Sequence, residues 1–284
     1  MFMKMKGTLF IMKGTLYLVA TPIGNLEDIT FRAIRILKEV DIIAAEDTRH
    51  TLKLLNHFEI SKPLISYHRH SEDSKTENLI NKLLEGKNIA LVSDAGTPGI
   101  CDPGEEIVAE AINNEIEVIA IPGACAFVNA LVVSGISSKE FAFYGFLPTN
   151  AKLKKEKLIQ ILNERKTVII YEAPHKLTST LNDILNTIGD INAVLVRELT
   201  KIHEEKIRGK ISELLKIEPK GEYVLILDLN KQDEENVDFS KMDLKEHYQF
   251  YENLGLPKKD IIKQIAKDRN VSKNEIYQFF LNKD

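Results

Sequence analysis

Short apolar runs separated by amphipathic segments recur through the first part of the chain, and this alternation limits the fold more than any other feature. Strands buried on both faces must be apolar throughout, whereas the helices that cover them need one apolar stripe. The runs predict strands at Thr15 to Ala20, Asp41 to Ala45, Leu64 to Tyr67, Ile89 to Ser93 and Glu117 to Ile121. One helix is expected to begin near Asp28 and bury Ile29, Ala33, Ile34, Leu37 and Val40. A second runs from Thr76 with Leu79, Ile80, Leu83 and Leu84 inward and stops at Gly86, and a third starts at Pro103, because proline suits the first helical position.

From Gly123 the alternation resumes, with strands expected at Phe141 to Phe146, Thr167 to Tyr171, Ala193 to Val196, His203 to Ile211 and Tyr223 to Leu229, and a helix from Pro174 to Ile188. No long helix fits between the strands from His203 to Leu229, so this sheet is expected to contain antiparallel pairs. A polar stretch, QDEENVDFSK, reads as a linker, and beyond it Ile261 to Asp268 and Lys273 to Leu281 form a helix-turn-helix-like pair with a turn at Asn270 and Ser272 as N-cap. The expected organisation is an N-terminal extension over 1–12, a doubly wound, mostly parallel α/β domain over 13–122, a mixed α/β domain over 123–230, a linker over 231–241 and a helical domain over 242–284. At 284 residues and 44% hydrophobic content the chain is long and apolar enough for more than one core.

The start of the chain repeats itself: MKGTLF at Met5 to Phe10 returns as MKGTLY at Met12 to Tyr17. Only the second copy leads into a strand-like run, so Met12 is expected to be the natural start and the residues before it a disordered extension. Lys13 and Gly14 interrupt the apolar patches before a signal peptide or membrane span could form, and Cys101 and Cys125 have neither metal-ligand nor redox spacing. A cytoplasmic location is expected. The formal charge of −4 gives no overall footprint for nucleic acid, so contact with RNA would depend on local patches. Such patches exist in Lys152 to Lys166 and in Lys258, Lys259, Lys263, Lys267, Arg269 and Lys273, which serve either as solvated faces or as phosphate contacts.

Candidate chemistry gathers at strand ends. In ALVSDAGTPGICDPG, residues 90 to 104, an apolar strand ends in Asp94 and a loop with three glycines and two prolines follows. Ligands of open α/β sheets bind outside the carboxyl ends of strands, and Gly96 and Gly99 permit close backbone approach. Asp94 either accepts from a ligand's hydroxyls or amine or caps an ordinary turn. The turn from Thr21 to Asn25 has a single glycine, which does not make a dinucleotide phosphate cradle. AAEDTRHT crowds Glu46, Asp47, Arg49 and His50 after a strand, as acid–base chemistry requires, or as an ion pair and helix cap would. His68 and His70 lack the further ligands a metal needs, and no metal is expected. IPGACAFVNALVVSG leads a small-residue turn into an apolar helix, with room above Cys125 and Ala126 for a flat ring; YEAPHKL is another strand-proline-helix junction, carrying Glu172, His175 and Lys176.

Taken in order, LYLVATPIGNLEDIT, AAEDTRHT, SYH, ALVSDAGTPGICDPG, IPGACAF, FYGFLP, YEAPHKL and KGEYVLIL resemble the ribosomal RNA 2′-O-methyltransferase branch of the tetrapyrrole methylases, over roughly residues 13 to 284. The resemblance implies a two-domain enzyme, usually a homodimer, that binds S-adenosylmethionine (SAM) between its domains and methylates the 2′-hydroxyl of a cytidine in the decoding region of 16S ribosomal RNA, within the 30S subunit. It implies cofactor contacts at Ile23, Asp94, Gly96, Thr97, Cys125, Ala126, Ala173 and Pro174. Cys125 departs from the serine or threonine expected there, and the resemblance carries only its backbone contact.

Methyl transfer from a sulfonium is an in-line displacement, so alignment and exclusion of water are the main tasks, and a base near the ribose hydroxyl assists. Glu46, Asp47 or His175 is expected to take or orient that proton, with Arg49 and Lys176 on phosphate. The rival activities are C-methylation of a tetrapyrrole and non-catalytic binding of RNA or the ribosome. The C-terminal helices and cationic helix faces favour RNA, since a small macrocycle needs neither, and a DNA-binding regulator fits the large α/β body least.

Overall fold

Ahead of the large sheets, β1 (Met3–Met5) pairs antiparallel with β2 (Thr8–Phe10), Met3 opposite Phe10, and β2 lies in the first copy of the repeated hexapeptide. A segment expected to be disordered therefore has strand structure, since its Thr-Leu-Phe run has the same β-forming character as the Thr-Leu-Tyr run of the second copy. The computed structural model describes residues 3–5, 8–10, 12–68, 72–230, 239, 242–253 and 257–281. It divides into two compact units, Met1–Asn230 and Lys231–Asp284.

The first unit contains both large sheets. In the first, β3 (Thr15–Val19), β4 (Ile42–Ala45), β5 (Leu64–Ser66), β6 (Ile89–Val92) and β7 (Glu117–Ile121) run parallel in the order β5-β4-β6-β3-β7. Successive side chains serve opposite faces. Val19, Ile43, Ala45, Ala90 and Val92 pack with α1 (Phe31–Glu39) and α2 (Thr48–His57), whereas Leu16, Ala44, Ile89 and Leu91 pack with α3 (Glu72–Leu84) and α4 (Glu105–Asn113). Helices on both faces make the sheet doubly wound, as expected.

Helix starts differ from the expected ones for local reasons. Leu26–Asp28 forms a 3-10 turn, and α1 begins only after Thr30, whose Oγ1 accepts from the Ala33 amide at 3.1 Å. Pro103 stands outside α4, which is capped by Gly104 at φ 149°. α3 starts one turn before Thr76, which is buried against the Tyr67 hydroxyl at 3.0 Å.

The second sheet holds β8 (Phe141–Phe146), β9 (Thr167–Glu172), β10 (Asn192–Arg197), β11 (Glu205–Lys210) and β12 (Tyr223–Asp228) in the order β11-β10-β12-β9-β8. Only β8 and β9 are parallel, and the antiparallel pairs expected after His203 are present. One face packs Val168, Ile170, Leu195 and Leu225 with α6 (Ala151–Leu162), α7 (Pro174–Thr187) and the short α8 (Ile211–Leu214); the other packs Ile169, Val194, Val224 and Ile226 with α5 (Ala126–Ser134).

In the second unit, α9 (Leu244–Asn253), α10 (Lys258–Asp268) and α11 (Lys273–Leu281) enclose Tyr251, Ile261, Ile262, Ile265, Ala266 and Ile276. α10 opens directly after Pro257, three residues before the expected start, and Ser272 Oγ accepts from the Glu275 amide at 3.3 Å at the start of α11, as expected of its N-cap. The expected linker, apart from Phe239, and His70 lie outside the described residues. Among the described residues, no helix is long and apolar enough to cross a membrane.

Candidate active site

The carboxyl ends of β3, β4 and β6 are adjacent in the first sheet, and the loops that leave them are tied together. The Thr21 amide donates to the Gly96 carbonyl at 2.9 Å, the Gly96 amide returns a bond to the Thr21 carbonyl at 3.0 Å, and Thr21 Oγ1 donates to the Ser93 carbonyl at 3.2 Å. Gly96 has φ +82°, and a Cβ there would also lie 3.2 Å from Ile23 Cγ2. Thr97 Oγ1 donates to the Ala124 carbonyl at 3.1 Å, which joins the start of α5 to the same framework.

This framework forms one wall of a cavity of about 540 Å³. Ile23, Glu46, Asp94, Gly96 and Thr97 line it from the first sheet, and Cys125 and Ala126 from the first turn of α5. Ala173, Pro174 and His175 line it from the start of α7. Every residue expected to contact the cofactor thus meets at one cavity.

Asp94 lines the cavity, and its Oδ1 accepts from the Asp47 amide at 3.0 Å, which ties the end of β6 to the end of β4 rather than capping its own turn. The three candidate bases separate. Glu46 and His175 line the cavity, whereas Asp47 does not. Asp47 caps α2, accepting from the Arg49 amide at 2.8 Å and from Arg49 Nε and Nη2 at 3.1 and 2.8 Å. Those bonds to the Arg49 side chain and amide hold its carboxyl well below the usual carboxylate range. Arg49 and Lys176 are exposed and stand outside the lining.

The far wall comes from the second sheet and was not anticipated. Tyr171, Val196, Leu199, Lys201, Tyr223 and Val224 line it, because the antiparallel register sets Tyr223 opposite both Glu172 and Arg197. Strand ends distant in sequence meet there, and no local motif announces them. Burial, with Cys125 nearby, pushes the Tyr171 phenol up, and its hydroxyl accepts from the Phe127 amide at 3.1 Å. Burial likewise raises the Cys125 thiol. Lys201 donates to Glu198 and Glu222 at 3.1 and 3.0 Å; burial works against its charge, and the two carboxylates outweigh it. Glu198 and Thr200 adopt positive φ of 49° and 67°, uncommon for a side chain and rare for a β-branched one. This loop meets the first turn at Gly24, where a Cβ would come within 2.8 Å of Thr200 Oγ1.

Residues 15–215 match the model of the tetrapyrrole (corrin/porphyrin) methylases. The chain belongs to that family. Ribosomal RNA small subunit methyltransferase I of Halalkalibacterium halodurans is 49% identical over 94% of this chain and 95% of its own length. The proteins of that description from Bacillus subtilis and from Synechocystis are 47% and 45% identical, over 94% of this chain and 94% and 98% of theirs. At that identity over nearly all of both chains, this tetrapyrrole methylase groups with the small-subunit ribosomal RNA methyltransferases. Its fold matches uroporphyrin-III-C-methyltransferase from Thermus thermophilus at TM-score 0.53 and 19% identity, over 77% of this chain and 96% of that one. A diphthine synthase matches at TM-score 0.59 and 15% identity, over 75% and 90%. A further structure of the Thermus thermophilus enzyme, complexed with S-adenyl homocysteine, matches at TM-score 0.55 and 18% identity, over 75% and 97%. The match to the family model ends before β12 and the three C-terminal helices.

Proposed function

We propose that this protein transfers a methyl group from SAM to the 2′-hydroxyl of a cytidine in the decoding region of 16S ribosomal RNA, acting on the 30S subunit as a cytoplasmic homodimer. The observation that carries the reading is the similarity to small-subunit ribosomal RNA methyltransferases along nearly the whole of both chains.

The cavity fits the cofactor. Its volume of about 540 Å³ is that of a typical small-molecule site. Ala126, Tyr171, Val196, Leu199 and Val224 offer apolar surface to a flat ring, and the carboxylates of Glu46, Asp94, Asp102 and Glu172 suit a cationic ligand. Ile23, Asp94, Gly96, Thr97, Cys125, Ala126, Ala173 and Pro174 would hold it. When bound, SAM supplies a methyl group activated on a sulfonium. The chain's own task is to bring the ribose oxygen into line and exclude water. Glu46 and His175, which line the cavity, take or orient the hydroxyl proton. Asp47 keeps the Arg49 guanidinium fixed for backbone phosphate, and Lys176 adds a second cation.

The test is tritium transfer from labelled SAM to 30S subunits that lack the native methylation, with the modified ribose mapped by resistance to alkaline cleavage. Label at one cytidine 2′-oxygen is expected. SAM binding by calorimetry without transfer to RNA would turn the assignment toward a tetrapyrrole substrate.

A further inference from the structure

Glu172 is the most deeply buried carboxylate in the cavity lining, 4% exposed at the end of β9. Its Oε1 accepts from the Ala173 amide at 2.9 Å, and its Oε2 accepts from the Thr180 hydroxyl at 2.5 Å. Thr180 lies in α7, fully buried, and its Oγ1 accepts from Lys154 Nζ of α6 at 2.8 Å. Lys154 is in turn paired with Asp183 at 2.7 Å. An ammonium only donates, so Lys154 occupies a lone pair of Thr180 and directs the hydroxyl proton to Glu172. The hydrogen bonds therefore run one way, from α6 through α7 into a carboxylate at the cavity.

The local chemistry says what that carboxylate is for. A carboxylate has about four lone-pair sites, of which the Ala173 amide and Thr180 take two. The first turn of α7 has no side-chain cap and begins with Pro174, which has no N–H, while Glu172 already supplies the negative charge a helix start favours. This corner consequently repels a phosphate or carboxylate and offers an acceptor to a donor.

We propose that Glu172 contacts the ligand of the methyl-transfer site, accepting a hydrogen bond from an N–H or O–H of a bound nucleoside, and that Thr180 and Lys154 are positioning residues for its carboxylate. The inference rests on the function proposed above. Such donors occur both on SAM, in its adenine amine, ribose hydroxyls and ammonium, and on the target nucleotide, so the experiment separates the two sources. Glu172→Gln, Thr180→Val and Thr180→Ser are compared with the parent in S-adenosylhomocysteine affinity by calorimetry, in affinity for unmethylated 30S subunits and in single-turnover methyl transfer, with thermal melting followed in parallel. Glu172→Gln is expected to lower one of these quantities by about tenfold or more, as loss of a hydrogen bond to a charged group does. Thr180→Val should lower the same quantity and Thr180→Ser should restore it, a pattern a packing role would not give, since valine preserves the shape. Loss of S-adenosylhomocysteine affinity assigns the donor to the cofactor; loss confined to RNA affinity or transfer assigns it to the nucleotide. Folded Glu172→Gln at parent values overturns the inference, and if that variant does not fold, folded Thr180→Val at parent values does so. A parent that neither binds S-adenosylhomocysteine nor methylates 30S overturns the functional reading with it, whereas an active parent matched by its variants overturns this inference alone.

Discussion

Two residues at the cavity combine structure and chemistry tightly enough to predict the effect of changing them. Gly96 sits at φ +82° with Ile23 Cγ2 3.2 Å from where a Cβ would stand. Gly96→Ala places a side chain in the left-handed region, at a cost of roughly 1–2 kcal/mol, and presses on Ile23 in the cavity wall. The expected outcome is weaker binding of S-adenosylhomocysteine with the fold retained, read by calorimetry beside a melting curve. Asp47 behaves differently, because its carboxyl is held well below the usual range by Arg49 and lies outside the lining. It carries no titration near neutral pH, so Asp47→Asn should leave the shape of the pH–rate profile unchanged. The variant releases a guanidinium that now makes two side-chain bonds, so weaker binding of 30S subunits is expected. A profile that loses its acidic limb in Asp47→Asn would instead make this residue the base.

At the scale of elements, β12 ties the core to the site. It lies between β9 and β10, giving Leu225 and Leu227 to one core, Val224 and Ile226 to the other, and Tyr223 and Val224 to the cavity. Leu225 is completely buried, and Leu225→Ala should cost about 2–5 kcal/mol in urea unfolding. The same strand shows where sequence patterning stops. The inner strands of the large sheets are legible as apolar runs, because burial on both faces demands one, whereas the edge strand β11, EKIRGK, is largely exposed. Asp94, Gly96 and Thr97 are legible together because they follow a single strand end. The wall made by Tyr171, Leu199 and Tyr223 depends on the register of antiparallel partners far apart in the chain, which no local spacing encodes. α2 escapes pattern reading for a different reason: TRHTLKLLNH buries only Thr51 and Leu55, too few to mark a helical stripe.

At the scale of the whole molecule, the division into two units means that the chain need not unfold as one, and the C-terminal unit carries its own response to acid. His247 is completely buried in α9, stacked on the Phe239 ring with centroids 3.9 Å apart. Arg269 Nε lies 3.1 Å from its Nδ1, and because a guanidinium can only donate, Nδ1 must be the acceptor and Nε2–H the donor to Asp268 Oδ2 at 3.2 Å. Asp268 also accepts from the Tyr251 hydroxyl at 2.5 Å and from Gln264 at 3.0 Å, so the network is built around a neutral imidazole. Burial and the neighbouring Arg269 charge lower the His247 pKa against the opposing pull of Asp268. In the unfolded chain the ring takes up a proton near its ordinary value, about 6.5. The unfolded state therefore binds more protons below that pH, and the stability due to the neutral ring, fully present above it, falls as the solution is acidified. Calorimetric scans should show a transition of the helical unit that moves to lower temperature as pH is taken from 7 to 5. In His247→Gln, the amide can still accept from Arg269 and donate to Asp268 but cannot titrate, so that movement should flatten. An unchanged slope in the variant would assign the acid response to other groups and leave His247 a purely packed residue.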